Sequence, residues 1–208
     1  MAGQRANQAE VGSADTRERI LETTWALMEK SRDLQVRIAD IAAGAGVSRQ
    51  AVYLHFGNRA NLLLAAVQYR DRQSATAAIK RAAADDPVPQ ALANFVHAWF
   101  AHIPRIQPVA HLLSAASQTD PDARLAFADR MNLLRTLIGA LVARLAAAGV
   151  LRPEWTTAQA VDWIWHQTHL DGWWHLVGQR GWDPVEYARR VSASLERDLI
   201  KPENIAPE

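Results

Sequence analysis

Arg49 and Gln50 stand side by side at the start of a short helical segment, and Tyr53 and His55 follow within the next two turns. These side chains carry donors and acceptors suited to the edges of base pairs. A guanidinium pairs bidentately with guanine and a carboxamide with adenine, while a tyrosine ring meets a thymine methyl or its hydroxyl a phosphate. Val52 and Phe56, four residues apart, give the same segment an apolar back. Ser48 stands immediately before Arg49, where its hydroxyl can accept a backbone N–H that the start of a helix leaves unpaired. Apolar behind and hydrogen-bonding in front, over about two turns, is the form of a helix that enters the DNA major groove.

A helix so used must be held at a fixed angle by another, and the preceding residues supply one. Ile38, Ile41, Ala42 and Ala45 recur at helical spacing. Gly46 provides the sharp turn, because a residue without Cβ readily takes the positive φ that ends a helix. The series Ile41-Ala42-x-x-Ala45-Gly46-Val47-Ser48, continued by Tyr53-x-His55-Phe56-x-Asn58-Arg59-x-x-Leu62, resembles the N-terminal domain of the TetR family of transcriptional regulators. The resemblance covers the first third of the chain. Two positions depart from the family pattern: Arg37 stands where the second helix usually has a Thr or Ser cap, and Arg59 where Lys is commoner.

The resemblance implies an all-α regulator of nine helices in two domains. A three-helix helix-turn-helix domain at 13–60 follows a disordered tail at 1–12, and a helical bundle at 61–208 binds a ligand and dimerises. It implies a homodimer on a palindromic operator, whose two recognition helices meet successive major grooves about 34–36 Å apart. Arg49, Gln50 and Tyr53 are the expected base readers. Arg37, Ser48, His55 and Arg59 complete the expected DNA-contacting set. Arg59 lies in the first turn of the next helix, whose amides can also bind phosphate. Thr16 and Arg17 are further phosphate candidates.

Composition agrees with this and excludes alternatives. Hydrophobic residues make up 49% of the 208 and charged residues 22%, as in an ordinary globular protein. Net charge is only +1, but it is unevenly spread. Residues 1–82 hold 12 basic against 8 acidic side chains, and residues 83–208 hold 11 against 14. A basic N-terminal part suits phosphate contacts, and an acidic remainder does not. With no cysteine, disulfides and thiolate metal sites are excluded. No apolar run reaches the ~18–20 residues of a membrane span, and the first dozen residues lack a signal-peptide core, so a cytoplasmic protein is expected. No glycine-rich phosphate loop, nucleophile elbow or His-Glu-x-x-His pattern indicates an enzyme or calls for a cofactor.

Asp-Pro pairs divide the remainder into helices. Asp86-Pro87, Asp120-Pro121 and Asp183-Pro184 each place an N-capping carboxylate before a proline at the first helical position. The expected helices are Asp15 to Glu29, opened by an Asp15-x-x-Glu18 capping box, the two of the helix-turn-helix, then about 58–83 and Pro87 to His102. A short one follows after breaks at Pro104 and Pro108 and runs to Ser117. Pro121 to Ala148, about 157–179 and Pro184 to Ile200 complete the series.

The penultimate helix is apolar on two arcs, Val161/Trp165/Thr168/Gly172/Leu176 and Trp163/Leu170/Trp174/Val177, so it must be covered on both. One arc would meet its own domain and the other a second subunit, through the last two helices of each chain. Tyr187, Ala188, Val191, Leu195 and Leu199 are the expected seam of the final helix. Between the arcs lie Asp162, His166, His169 and Trp173. As a carboxylate and two imidazoles on one side, Asp162, His166 and His169 form a partial metal-ligand pattern, consistent with a metal-sensing repressor or, failing that, a metal-dependent helical enzyme. The preferred expectation is a ligand pocket with walls from Trp99, His111, Phe127, Met131 and Trp165 and polar groups from the stripe of His166, His169 and Trp173. Such a pocket suits a hydrophobic, aromatic or cationic effector.

Overall fold

The structure, a computed structural model, describes residues 2–31, 34, 36–73 and 76–204, with side chains from residue 13 onward except 72, 73 and 89. Its helices are α1 (Ala2–Ser31), α2 (Ile38–Ala45), α3 (Arg49–Phe56), α4 (Arg59–Gln73), α5 (Thr76–Ala84), α6 (Val88–Ala116), α7 (Pro121–Ala147), α8 (Thr157–Gln167), α9 (Leu170–Trp173) and α10 (Pro184–Leu199). A π-helical turn, Trp174–Gln179, continues α9. Among the described residues there is no strand, and an isolated antiparallel bridge joins Leu151 to Ile200. The fold is all-α, as the sequence predicts.

Two compact units emerge, and they do not follow the division at residue 60. The residues up to Asp71 cluster with Pro108–Asp129, while Arg72–Gln107 cluster with the residues from Arg130 onward. The first unit is built on α1, whose Ile20, Leu21, Thr24 and Met28 are fully buried. Thr24 survives there because its hydroxyl donates to the Ile20 carbonyl at 2.7 Å. Ile41, Ala42 and Ala45 of α2, Val52 and Phe56 of α3 and Leu62 of α4 complete this core, joined by Val109 and Leu113 of α6 and Ala123 and Ala126 of α7. Gly44 lets α2 lie close on α1: a Cβ there would stand 2.7 Å from Cγ2 of Thr23.

In the second unit, Phe95, Phe100 and Ile103 of α6, Ile138, Leu141 and Leu145 of α7, Ile164 of α8 and Leu195 and Leu199 of α10 are all fully buried. Phe100 meets Tyr187 edge-on with ring centres 5.0 Å apart. Arg144 closes the end of α5 by donating to the carbonyls of Ala82 (3.2 Å), Ala83 (3.0 Å) and Asp86, which supplies acceptors' partners that a helix end otherwise lacks.

Several helix boundaries differ from the expected ones. α1 begins at Ala2, not near Asp15. Ala2, Gln4, Arg5, Ala6, Gln8, Ala9 and Glu10 are good helix formers, so Asp15 lies inside the helix and caps nothing. The expected 58–83 helix appears as α4 and α5, with residues 74 and 75 outside those described. Pro104 and Pro108 do not interrupt α6. They stand four residues apart on one incompletely buried side, so the amides they lack fall on a single strip of the helix. Asp86 caps differently from expectation: α6 starts one residue later, and the carboxylate accepts from Asn94 at 2.8 Å and pairs with Arg81 at 3.3 Å. The 157–179 helix breaks at Thr168. There the Trp99 indole N–H takes the Thr168 carbonyl at 2.7 Å, the Thr168 hydroxyl turns back to Ile164 at 2.7 Å, and His169 adopts an extended backbone that starts α9.

Candidate functional site

The helix-turn-helix forms from local signals alone. Gly46 takes φ 66° and returns its amide to α2, and Val47 donates to the Ala42 carbonyl at 2.9 Å. The Ser48 hydroxyl accepts from the Ala51 amide at 3.1 Å and so caps α3. Arg37 occupies the cap position of α2 through its carbonyl, which accepts from Ile41 at 3.1 Å, while its side chain makes no cap and is exposed.

With Val52 and Phe56 buried, α3 presents its other side to solvent. Ser48, Arg49 and Gln50 are exposed, Tyr53 is 51% exposed and His55 is half-buried beside the Phe56 ring. Leu54 is 81% exposed. The only sequence signal for it is its place four residues after Gln50. Arg17 of α1 lies over the Phe56 ring, 5.0 Å from its centre.

Arg59, expected to contact phosphate, has partners within its own chain. Its guanidinium donates to Asp120 at 2.9 Å, to Asp122 at 3.3 Å and to the Leu34 carbonyl at 2.8 Å. All four residues belong to the first unit. Asp120 is held from two sides, since its other oxygen accepts from the amides of Asp122 (2.9 Å) and Ala123 (3.3 Å) at the start of α7. Burial pushes the Asp120 carboxyl up, but Arg59 and the two amides outweigh it and hold the group below its ordinary value. The start of α4 is likewise served from within, by Asn58, whose side chain accepts from the Asn61 amide at 2.8 Å.

The residues expected to form an effector pocket are divided between the units. His111 and Phe127, both half-buried, lie in the first. In the second, Trp165 packs on His169 with ring centres 5.1 Å apart, and exposed His166 lies 5.8 Å from Trp163. Trp99 is buried against His102, and Met131 is half-buried on α7. Trp173 is buried, and its indole N–H has no hydrogen-bond partner among the described residues. An open groove of about 330 Å³ between α7 and α8 is lined by Arg135, Gly139, Val142, Ala143, Thr157, Ala158 and Val161, none of them an expected wall.

The alternative metal triad is not assembled. Asp162 pairs with Arg135 at 2.6 Å, and the break at Thr168 takes His169 off the helical register that would align it with His166. His169 lies instead against Asp171, with its Nδ1 3.3 Å from the carboxylate. Among the described residues no group of three or more His, Cys, Asp or Glu side chains is placed to hold a metal ion. No helix among them is long and apolar enough to cross a membrane.

Comparison with known proteins places this geometry. The family described as bacterial regulatory proteins, tetR family, matches residues 20–66, which hold the C-terminal part of α1, the helix-turn-helix and the first half of α4. No curated protein matches the chain. Among solved structures, a putative TetR-family transcriptional regulator from Rhodococcus sp. is similar at TM-score 0.73 and 17% identity, over 89% of this chain and 99% of that one. SmeT in complex with triclosan is similar at 0.73 and 17%, over 92% and 95%. NalD, the secondary repressor of the MexAB-OprM multidrug efflux pump in Pseudomonas aeruginosa, is similar at 0.69 and 22%, over 92% and 98%.

Proposed function

We propose that this protein is a transcriptional repressor, because residues 20–66 match the TetR-family model and 89% of the chain shares the fold of a putative TetR-family regulator. It binds a palindromic operator as a homodimer and is released by a small hydrophobic, aromatic or cationic effector. The observation that carries this is α3 itself: an eight-residue helix, capped by Ser48, fixed by Val52 and Phe56, and presenting Arg49, Gln50 and Tyr53 to solvent. Arg49 and Gln50 read bases, Tyr53 reads a base or a phosphate, and Arg37, Ser48 and His55 position the DNA backbone. Arg59 serves by holding the first unit together.

The segment 13–60 carries DNA binding, and 61–208 carries effector binding and dimerisation. The eight tryptophans and the triclosan bound by the similar SmeT support an aromatic or apolar ligand, and the buried indole N–H of Trp173, without a partner among the described residues, supports one acceptor on it. Release requires that the effector bind the DNA-incompetent conformation more tightly than the competent one. The deciding experiment selects duplexes from a random library with the purified protein. The expected product is a palindrome whose half-sites lie one helical turn apart. Arg49→Ala and Gln50→Ala should then each lose about 1–3 kcal/mol of discrimination at one base position. Full retention of preference at every base by both variants would remove α3 from the reading head.

A further inference from the structure

Leu54 is the residue of α3 that points most directly away from the protein. At roughly 100° per residue, it stands about 180° from the mean direction of the buried Val52 and Phe56. Gln50, four residues earlier, shares its row, and Tyr53 flanks it from the row that begins with Arg49. A leucine with 81% of its surface exposed at the outermost point of this helix leaves its apolar surface in water in the free protein. Isolated apolar side chains on a protein surface are ordinary. This one sits at the centre of a face whose other members are hydrogen-bonding groups, and none of the described residues covers it.

We propose that Leu54 is a specificity-determining residue that reads a thymine through its C5-methyl group. This rests on the operator-binding function proposed above. The charge around it fits DNA and no apolar partner surface: Arg49 lies on the same helix, Arg37 is exposed one helix earlier, and the first 82 residues are net basic. Within the major groove the thymine methyl is the apolar group that base pairs offer to a side chain, and it is recognised by apolar contact. Each row of α3 is then a matched pair. Arg49 or Gln50 supplies hydrogen bonds to one base, and one turn later Tyr53 or Leu54 supplies apolar contact to a neighbour.

Replacing thymine by deoxyuridine removes only the methyl, which gives the test. Using a duplex selected from the random library, each thymine is replaced in turn, in one half-site and then in both. For the unmodified protein, one position should weaken binding about fourfold per half-site, the effect of withdrawing one methyl group from an apolar contact. For Leu54→Ala and for Leu54→Gln, thymine and uracil at that position should bind alike, and both variants should melt like the parent because the side chain is exposed. If uracil is tolerated at every position, or if both variants keep the full loss, Leu54 reads no methyl and the proposal falls. If the library yields no preferred sequence at all, the proposed function fails first, and the inference falls with it.

Discussion

Arg59 donates to Asp120 at 2.9 Å, and its other terminal nitrogen reaches the Leu34 carbonyl at 2.8 Å. One guanidinium thus joins three stretches of the first unit: the link between α1 and α2, the start of α4 just beyond the recognition helix, and the start of α7. Arginine is suited to this because its planar fork serves several acceptors at once, which a single ammonium cannot do in the same geometry.

Arg59→Ala should therefore destabilise the protein by about 1–3 kcal/mol, between the values of surface and buried ion pairs, because both partners are mostly covered (27% and 15% exposed). Arg59→Lys should recover only part of this. Urea unfolding monitored by circular dichroism measures both. A loss below about 0.3 kcal/mol for Arg59→Ala would make the pair an idle surface contact.

The same site gives a pH dependence with a definite sign. The folded Asp120 carboxyl titrates below its ordinary value, so at acidic pH the unfolded chain takes up its proton first. The stabilisation is fully present above about pH 4, the ordinary aspartate range, and is lost as pH falls through the depressed folded value. The stability difference between the parent and Arg59→Ala should accordingly shrink between pH 6 and pH 3. A difference that stays constant across that range would show that Arg59 acts through Leu34 and packing alone. Glu196 supplies the opposite sign: burial raises its carboxyl, so its penalty is present at neutral pH and disappears on acidification.

What the sequence disclosed and what it hid follow the range of the interactions. Gly46, Ser48 and Asp183 act on amides within a few residues of themselves, so their types and spacing were sufficient to place the turn and two helix starts. The internal contacts of Arg59 are invisible in the sequence because its partners lie 25, 61 and 63 residues away. The break at Thr168 depends on the Trp99 indole 69 residues earlier. The exposure of Leu54 is not legible in the sequence, because apolar residues in a helix are read as core and only three-dimensional packing shows which of them the core does not reach. The expected pocket residues share helical spacing, but spacing along one helix does not say which other helix will face it.

The expected dimer seam on the last helix is covered within the chain itself, and this changes the experiment. Val191 and Leu195 of α10 are buried within the single chain, at 9% and 0% exposure, so they contribute to the core of the second unit. On α8, by contrast, Ala158 is exposed and Val161 and Trp165 are half-buried, and Ala158 and Val161 border the open groove beside Gly139 and Ala143 of α7. Small residues there permit another helix to come close. A homodimer that uses α8 would cover this strip by a two-fold contact. Val161→Glu places a carboxylate where association would strip its water without a partner, which costs several kcal/mol. It should give folded monomers with weak operator binding. Leu195→Glu should instead unfold the second unit, because the charge is buried in the monomer itself. Sedimentation velocity together with helical circular dichroism separates the two outcomes. Val161→Glu that remains a dimer at micromolar concentration would move the interface away from this side of α8.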